Sequence, residues 1–552
     1  MELPIQMAVL KRILSLVLVI LLGRFFYRLI RVRMQVRRFM NNSGLKSPPH
    51  SFLLGHLPAF AKLMTKYPRD TAGQIIPILL VNEYPELEAQ GLVCMDAWPI
   101  TSPMLAVFQP DMVAQFCQAP SMPKSDLLHS IFKDFTHCQD ILCSEGDHWK
   151  RWRSIFNPGF SSKNILSFIP ALIEEIQVFK DNLLKNAGSA IVFPLITPAT
   201  KATFDIIGRV VLGTKLGAQT SDSRLYKALK DQLGWISIAD GPNPFHRQNH
   251  PLRRLALWRN NWILRNEIIP ILKRQMVETA HAGSPQTMSR LAIEAHLKET
   301  GRTVDSASID QAVDEEFLSV TLAHIEIFLI AGHDTTASTL CYAYYCLHGN
   351  PDVANRVRKE HDQLLGADPT EAAAMISRDP SVLHRLPYTA AVIKEVLRLY
   401  PPLASTRSGS RNLHLVHPET GQRFATEGFI LLSTSNASQR LPQYWDRPND
   451  FLPDRWLVED DSSVNNRKLA WRPFEQGPRN CIGQELALLE LRLMLVLTLR
   501  ELDIEPAYAA DATRLFGEPA YQAVTTNELT NHPKDGMPVR VKRRGPTADI
   551  AA

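Results

Sequence analysis

No H-E-x-x-H, Walker loop or G-x-G-x-x-G occurs in the 552 residues, which excludes the common zinc, nucleotide and dinucleotide sites. There is no C-x-x-C pair either. The seven cysteines, Cys94, Cys117, Cys138, Cys143, Cys341, Cys346 and Cys481, are odd in number and scattered, so a disulfide framework is not encoded and a reducing compartment suits the chain. No interior basic stripe with interleaved aromatics is present, which argues against nucleic acid as a partner. The net charge is only +5, and much of the excess sits at the ends, in six arginines from Arg24 to Arg38 and in Arg540, Lys542, Arg543 and Arg544. Beyond residue 59 there is no internal repeat, low-complexity tract or long linker.

What is present begins with "ILSLVLVILLG", Ile13 to Gly23, apolar but for Ser15 and flanked on both sides by basic residues. A full span needs roughly 20 apolar residues, so this run must recruit Leu3 to Leu10 or Phe25 to Ile30. A cleaved signal peptide has a similar form, but Arg24-Phe25-Phe26 stands where a small-residue exit would be. The arginine excess on the C-terminal side keeps the body cytosolic; a helix lying in the interface is the alternative. The expected organisation is an anchor with a basic flank over 1–43, a proline-rich hinge over 44–58, one large domain over 59–545 and a tail over 546–552.

Helical periodicity dominates the body, over Asn164 to Leu184, Leu225 to Ile236, Leu255 to His281, Ser308 to His348, Asp352 to Leu365, Pro387 to Leu399 and Gln484 to Leu502. Strand-like stretches are short and late: "RNLHLV", "GFILLSTS" and "MPVRVKR". The predicted fold is mainly α with a small β region. The Ser308 helix would be about 60 Å long. Its middle, Phe317 to Ile330, is apolar on nearly every side and is expected to be buried.

Within that helix lies "AGHDTT", Ala331 to Thr336, where a glycine costs about 1 kcal/mol relative to alanine and a buried acid needs a partner. Either it is a kink with satisfied polar groups, or it faces a cofactor for which Gly332 makes room. The second focus is "FEQGPRNCIGQELA", in which Cys481 precedes a helix starting near Gln484. The helix dipole would favour a thiolate there, and Gly477 and Gly483 permit a tight loop.

The spacing of Phe474, Gly477, Arg479, Cys481 and Gly483 resembles the haem-binding signature of the cytochrome P-450 monooxygenases, with Glu475 where that signature has a small or neutral polar residue. Other stretches follow in the family's order. Glu395 and Arg398 in "KEVLR" with Arg455 in "PDRW" resemble its buried charge network; Trp149 and Arg153 in "WKRWR", with Arg407 and Arg479, resemble its partners of the haem propionates; "AGHDTT" resembles its distal helix. "SPPHSFLLGHLP" and "DGMPVRVKR" are similar to microsomal, especially filamentous-fungal, members.

The resemblance implies a cytochrome P-450 fold with a long distal helix over haem b, and Cys481 as axial iron ligand. Phe474 and Gly483 would contact the haem, and Asp334 and Thr335 would deliver protons during dioxygen activation. It further implies insertion of one oxygen atom into a lipophilic substrate, by hydroxylation, epoxidation or multistep oxidation, in fungal secondary metabolism. Electrons would come from NADPH through a cytochrome reductase on the same endoplasmic reticulum membrane. The family's recognition segments would place His324, Phe328, Ala331, Leu403, Ala404 and Val524 around the substrate. The competing readings are a haem-thiolate isomerase or dehydratase that needs no reductase, and a haem-binding membrane protein without catalysis.

Overall fold

Apolar side chains at helical spacing assemble the body around one central helix. The computed structural model describes residues 2–118, 121–236, 250–277, 285–301, 314–458, 468–524 and 530–545. The principal helices are α1 (Glu2–Ser43), α2 (Gly146–Phe156), α3 (Ile169–Leu184), α4 (Ile196–Leu212), α5 (Arg224–Ile236), α6 (Arg253–Val277), α7 (Glu315–Gly349), α8 (Pro351–Leu365), α9 (Pro387–Leu399) and α10 (Gln484–Thr498). The central one is α7, buried along most of its length and packed along α4. A Cβ added to Gly332 would stand 2.5 Å from Ile207 Cγ1, so this glycine sets the approach of α7 to α4.

Several boundaries move. The Asn164–Leu184 segment breaks at Phe168, because Pro170 suits the first turn of a new helix and cannot continue an old one. α10 stops at Thr498, and Leu502 opens a strand. The cap proposed at Ser308 and the end at His281 lie outside the described residues. α7 begins at Glu315, where the Asp314 side chain accepts from the Glu316 amide, and runs 35 residues, about 52 Å. The other helices fall within a few residues of their expected bounds.

The strands are β1 (Leu92–Met95), β2 (Met104–Val107), β3 (Phe193–Pro194), β4 (Ser405–Ser408), β5 (His414–Val416), β6 (Arg423–Ala425), β7 (Ile430–Ser433), β8 (Leu502–Pro506), β9 (Gln522–Ala523), β10 (His532–Pro533) and β11 (Pro538–Arg543). A four-stranded sheet runs in the order β1-β2-β7-β4, with β2 and β7 parallel and the other pairs antiparallel. Its early hairpin was not foreseen. "LVCM" is buried at every position and "MLAV" nearly so, so neither carries the alternation that marks a half-exposed strand.

At the N-terminus α1 is continuous from Glu2 to Ser43. Its apolar run Leu10–Leu22 is exposed, whereas Leu29, Arg33, Val36 and Phe39 are buried against the body. In the segment 44–58, Leu45, Gly55 and His56 are buried, while Phe52, Leu53 and Leu54 are exposed. Length and apolarity would let α1 or α7 cross a membrane, but α7 is spoken for by the core.

Candidate functional site

The loop before α10 is folded tightly under an open cavity. The Cys481 amide donates to Phe474 O (2.9 Å), and the Asn480 amide to Gly477 O (3.1 Å). Gly477 has φ +94°, and a Cβ there would meet Cys117 O at 2.5 Å, so glycine is required. Gly483 is different: its φ is −85° and protein atoms leave ordinary room for a Cβ, so any constraint there comes from what fills the cavity.

Glu475 finds its account in this loop. It adopts φ +56°, pairs with the buried Arg472 three residues earlier and accepts from the Gln476 amide (3.1 Å). It is the counter-ion of a loop arginine.

The cavity measures about 260 Å³. Cys481, Ile482, Gly483 and Leu486 form one part of its wall, and Phe328, Ala331, Gly332 and Thr335 of α7 another. Phe474, Arg479, Leu403 and Ala404 also line it.

His324 does not. It shares the α7 stripe of Phe328, Ala331 and Thr335, but the cavity ends at Phe328, which packs on Phe156 and Phe160. His324 lies beyond, 4.4 Å from the Trp152 ring and 5.1 Å from Phe156, with both ring nitrogens unpartnered and its pKa pushed down by burial and by His148. Val524 is also outside the wall, its amide donating to Asp70 O (2.7 Å).

The sulfur is not a ready thiolate by itself. Cys481 is exposed toward the cavity, yet the protein crowded around its other sides raises the thiol pKa, and the Gly483 amide, Arg153 and Lys124 oppose that only in part. A cation bound at the sulfur would draw the proton off.

Positive charge collects beside the cavity. Arg407 is fully buried and donates through Nη1 to Ser405 Oγ (2.6 Å) and Thr406 O (2.9 Å), leaving Nε and Nη2 without partners. Lys124 lines the cavity, and burial with Arg407 and Arg479 nearby brings its pKa down to about 7. Arg479 pairs with Glu145 (2.7 Å) and lies 4.5 Å from the Trp149 ring centroid. Arg153 donates to Asn480 O (2.9 Å) and Oδ1 (3.0 Å), steadying the cysteine loop. Orphaned guanidinium nitrogens and a lysine whose charge is penalised by burial and by nearby arginines fit a ligand with carboxylates, as haem is.

Lys124 carries a pH prediction for the haem-free protein. Its pKa is 10.5 unfolded and about 7 folded, so between those values the unfolded chain binds more protons and stability rises with pH. Denaturant unfolding at pH 7 and pH 9 is expected to show that rise, and Lys124→Met to flatten it.

Behind the cavity, Arg398 grips Glu395 with Nε (3.0 Å) and Nη2 (2.8 Å), both side chains fully buried. Arg455 Nε reaches Glu395 Oε1 at 3.2 Å, and the Trp456 indole donates to Oε2 at 2.9 Å. The remaining Arg398 donors go to the carbonyls of Gln439, Pro448 and Asp450. This network ties α9 to the chain ahead of the cysteine loop.

On α7 the two proton-delivery candidates diverge. Thr335 Oγ1 donates to Ala331 O (2.8 Å) at the cavity wall. Asp334 is turned away and buried: His532 Nε2 lies 2.7 Å from Oδ1, and Thr530 donates to Oδ2 from Oγ1 (2.7 Å) and from its amide (3.1 Å). Burial would raise its pKa, but His532, His333 and Thr530 hold it well below the carboxylate range.

Lys124, Arg472, Glu490, Thr530 and His532 were not foreseen. Glu490, a lone acid in the apolar "LALLELRLMLVL", lines the cavity and is kept uncharged by burial. Its isolation within an apolar helix was a usable signal. Lys124 in "MPKSD" offered none.

The sequence model described as Cytochrome P450 matches residues 88–530. The chain is 34% identical to "Cytochrome P450 monooxygenase polC" of Polytolypa hystricis, over 96% of this chain and 94% of that protein. It is 29% identical to "Cytochrome P450 monooxygenase acrF" of Aspergillus aculeatus, over 87% and 99%. Among solved structures it superposes on the "Crystal structure of cytochrome P450DA heme domain" with TM-score 0.67 at 20% identity, over 91% of this chain and 98% of that one, which is a likeness of fold.

Proposed function

Because the chain belongs to the cytochrome P450 family, we propose that it acts as a membrane-anchored haem-thiolate monooxygenase that inserts one oxygen atom of dioxygen into a lipophilic substrate of fungal secondary metabolism. The observation that carries this reading is that Cys481 and Thr335 line one cavity whose wall is otherwise largely apolar. When bound, haem supplies the oxygen chemistry, and a cysteinate ligand favours O–O cleavage.

The chain's own residues do the rest. Cys481 would hold the iron; Arg407, Lys124 and Arg479 would hold the propionates, with Trp149 stacked on Arg479 and Arg153 fixing the loop. Phe328, Ala331, Leu403 and Ala404 exclude water around the substrate. Thr335 would present its hydroxyl to the reacting oxygen. Asp334 would carry protons to it only after leaving His532 and Thr530, so opening of that pair precedes each transfer. Single electrons would come from an NADPH-cytochrome reductase on the endoplasmic reticulum membrane, with the body cytosolic by the arginine excess after the anchor.

Turnover under ¹⁸O₂ with NADPH and reductase tests this, using lipophilic metabolites chosen by their ability to shift the haem spin state. One labelled oxygen atom in the product is expected, with strict dependence on NADPH. Thr335→Ala should keep haem but lower product formation by roughly 10²-fold while NADPH oxidation continues and peroxide accumulates. Turnover without NADPH would indicate an isomerase or dehydratase instead.

A further inference from the structure

The cavity above Cys481 uses one face of α7, the stripe of Phe328, Ala331 and Thr335. Glu326 precedes Thr335 by nine residues, about two and a half turns, and so stands on the opposite face. It is only 4% exposed. Among the described residues no hydrogen bond or ion pair reaches its carboxyl. Burial and the nearby Asp140 keep it uncharged, and Arg265 opposes them only in part. A polar group buried without a partner is costly, so what this carboxyl faces matters.

It faces a second cavity. A space of about 120 Å³ lies between α7, α6 and the segment ahead of α2, and it shares no lining residue with the cavity above Cys481. Phe135 and Leu322 make one side of it apolar. The other side is built of hydrogen-bond donors. Arg265 of α6 ion-pairs with Glu315 through Nη2, which leaves Nε and Nη1 to donate. Asn261, one turn earlier, accepts from Gln232 Nε2 at Oδ1 (2.8 Å) and keeps its own Nδ2 for another acceptor. The Ser319 hydroxyl lines the same space two turns before Glu326, and the uncharged Glu326 has an O–H of its own to give.

We propose that this cavity is a binding site for a small aliphatic carboxylate, held by Arg265, Asn261, Ser319 and the O–H of Glu326. A carboxylate is the ligand because all four groups can donate and one of them carries charge. An O–H donating to a carboxylate makes a short bond, roughly twice as strong as one between neutral partners. The volume admits a short chain and no more, with its apolar end against Phe135 and Leu322. The site is built without any residue of the haem cavity, so the proposal does not depend on the monooxygenase reading.

The test is saturation-transfer NMR of butyrate with the full haem-loaded chain, with and without 4-phenylimidazole to fill the haem cavity. Butyramide and butylammonium are the neutral and cationic comparators. Butyrate is expected to bind saturably in both states, at least about tenfold tighter than either comparator. Arg265→Met and Glu326→Leu, each judged folded by its haem spectrum, are expected to weaken butyrate roughly tenfold or more. Glu326→Gln, which keeps a donor, is expected to stay within about threefold of the parent. Loss of butyrate binding in the presence of 4-phenylimidazole would assign it to the haem cavity and overturn the proposal. Preference for butylammonium, abolished by Glu326→Gln, would show an ionised acid and overturn it too. Absence of saturable butyrate binding, or unchanged affinity in Arg265→Met, would do the same.

Discussion

Glu395→Gln is expected to lower the stability of the haem-loaded protein by about 3–5 kcal/mol, the cost of removing one partner from a buried ion pair. Glu395 is fully buried and answers Arg398, Arg455, the Trp456 indole and the Leu452 amide at once. Glutamine keeps the shape but presents one acceptor and two donors to neighbours that are all donors. The Arg398 guanidinium, also fully buried, would lose its counter-charge and keep its backbone carbonyls and at most one neutral acceptor. Against a typical total of about 5–15 kcal/mol this is a large fraction, and the haem loop lies next in the chain. Urea unfolding followed by loss of Soret absorbance measures it. A change below about 1 kcal/mol would mean that the network does not brace the loop.

The second large effect is at the iron ligand. Cys481→Ala leaves a methyl group where the sulfur enters the cavity, and the neighbouring Ile482 and Leu486 offer no replacement donor. Haem can still be drawn in by Arg407, Lys124 and Arg479. Without the electron-rich ligand, product formation is expected to fall at least ~10³-fold, equivalent to about 4 kcal/mol of transition-state stabilisation. A product-formation assay on haem-loaded variant and parent compares them directly.

The residues that were legible in the sequence are those whose partners sit at fixed spacing. Glu395 and Arg398 share a helix face at i,i+3, and the loop from Phe474 to Gly483 carries its own pattern. Pairings made by tertiary folding were not legible from local spacing, and that of Arg455 with Glu395 came only through the family resemblance. His532 meets Asp334 from a strand almost two hundred positions away, and nothing local in "TNHPKDG" tells of it. Arg33 looks like its neighbours until Asp96 is brought beside it. Glu475 and Arg472 are only three apart, but they lie in a loop, where no periodicity says which side chains face each other. His324, placed by the family resemblance alone, lies beyond the cavity because the cavity's length along α7 is set by Trp152, Phe156 and Phe160.

The central claim is that Cys481 ligates haem iron as a thiolate. The measurement that tests it most directly is the difference spectrum of the full-length protein, reduced and exposed to carbon monoxide, beside that of Cys481→Ala. The account predicts the strongly red-shifted Soret band of a thiolate-ligated haem in the parent and its loss in the variant. An unshifted band in the parent, or a shifted band that survives in the variant, would contradict it.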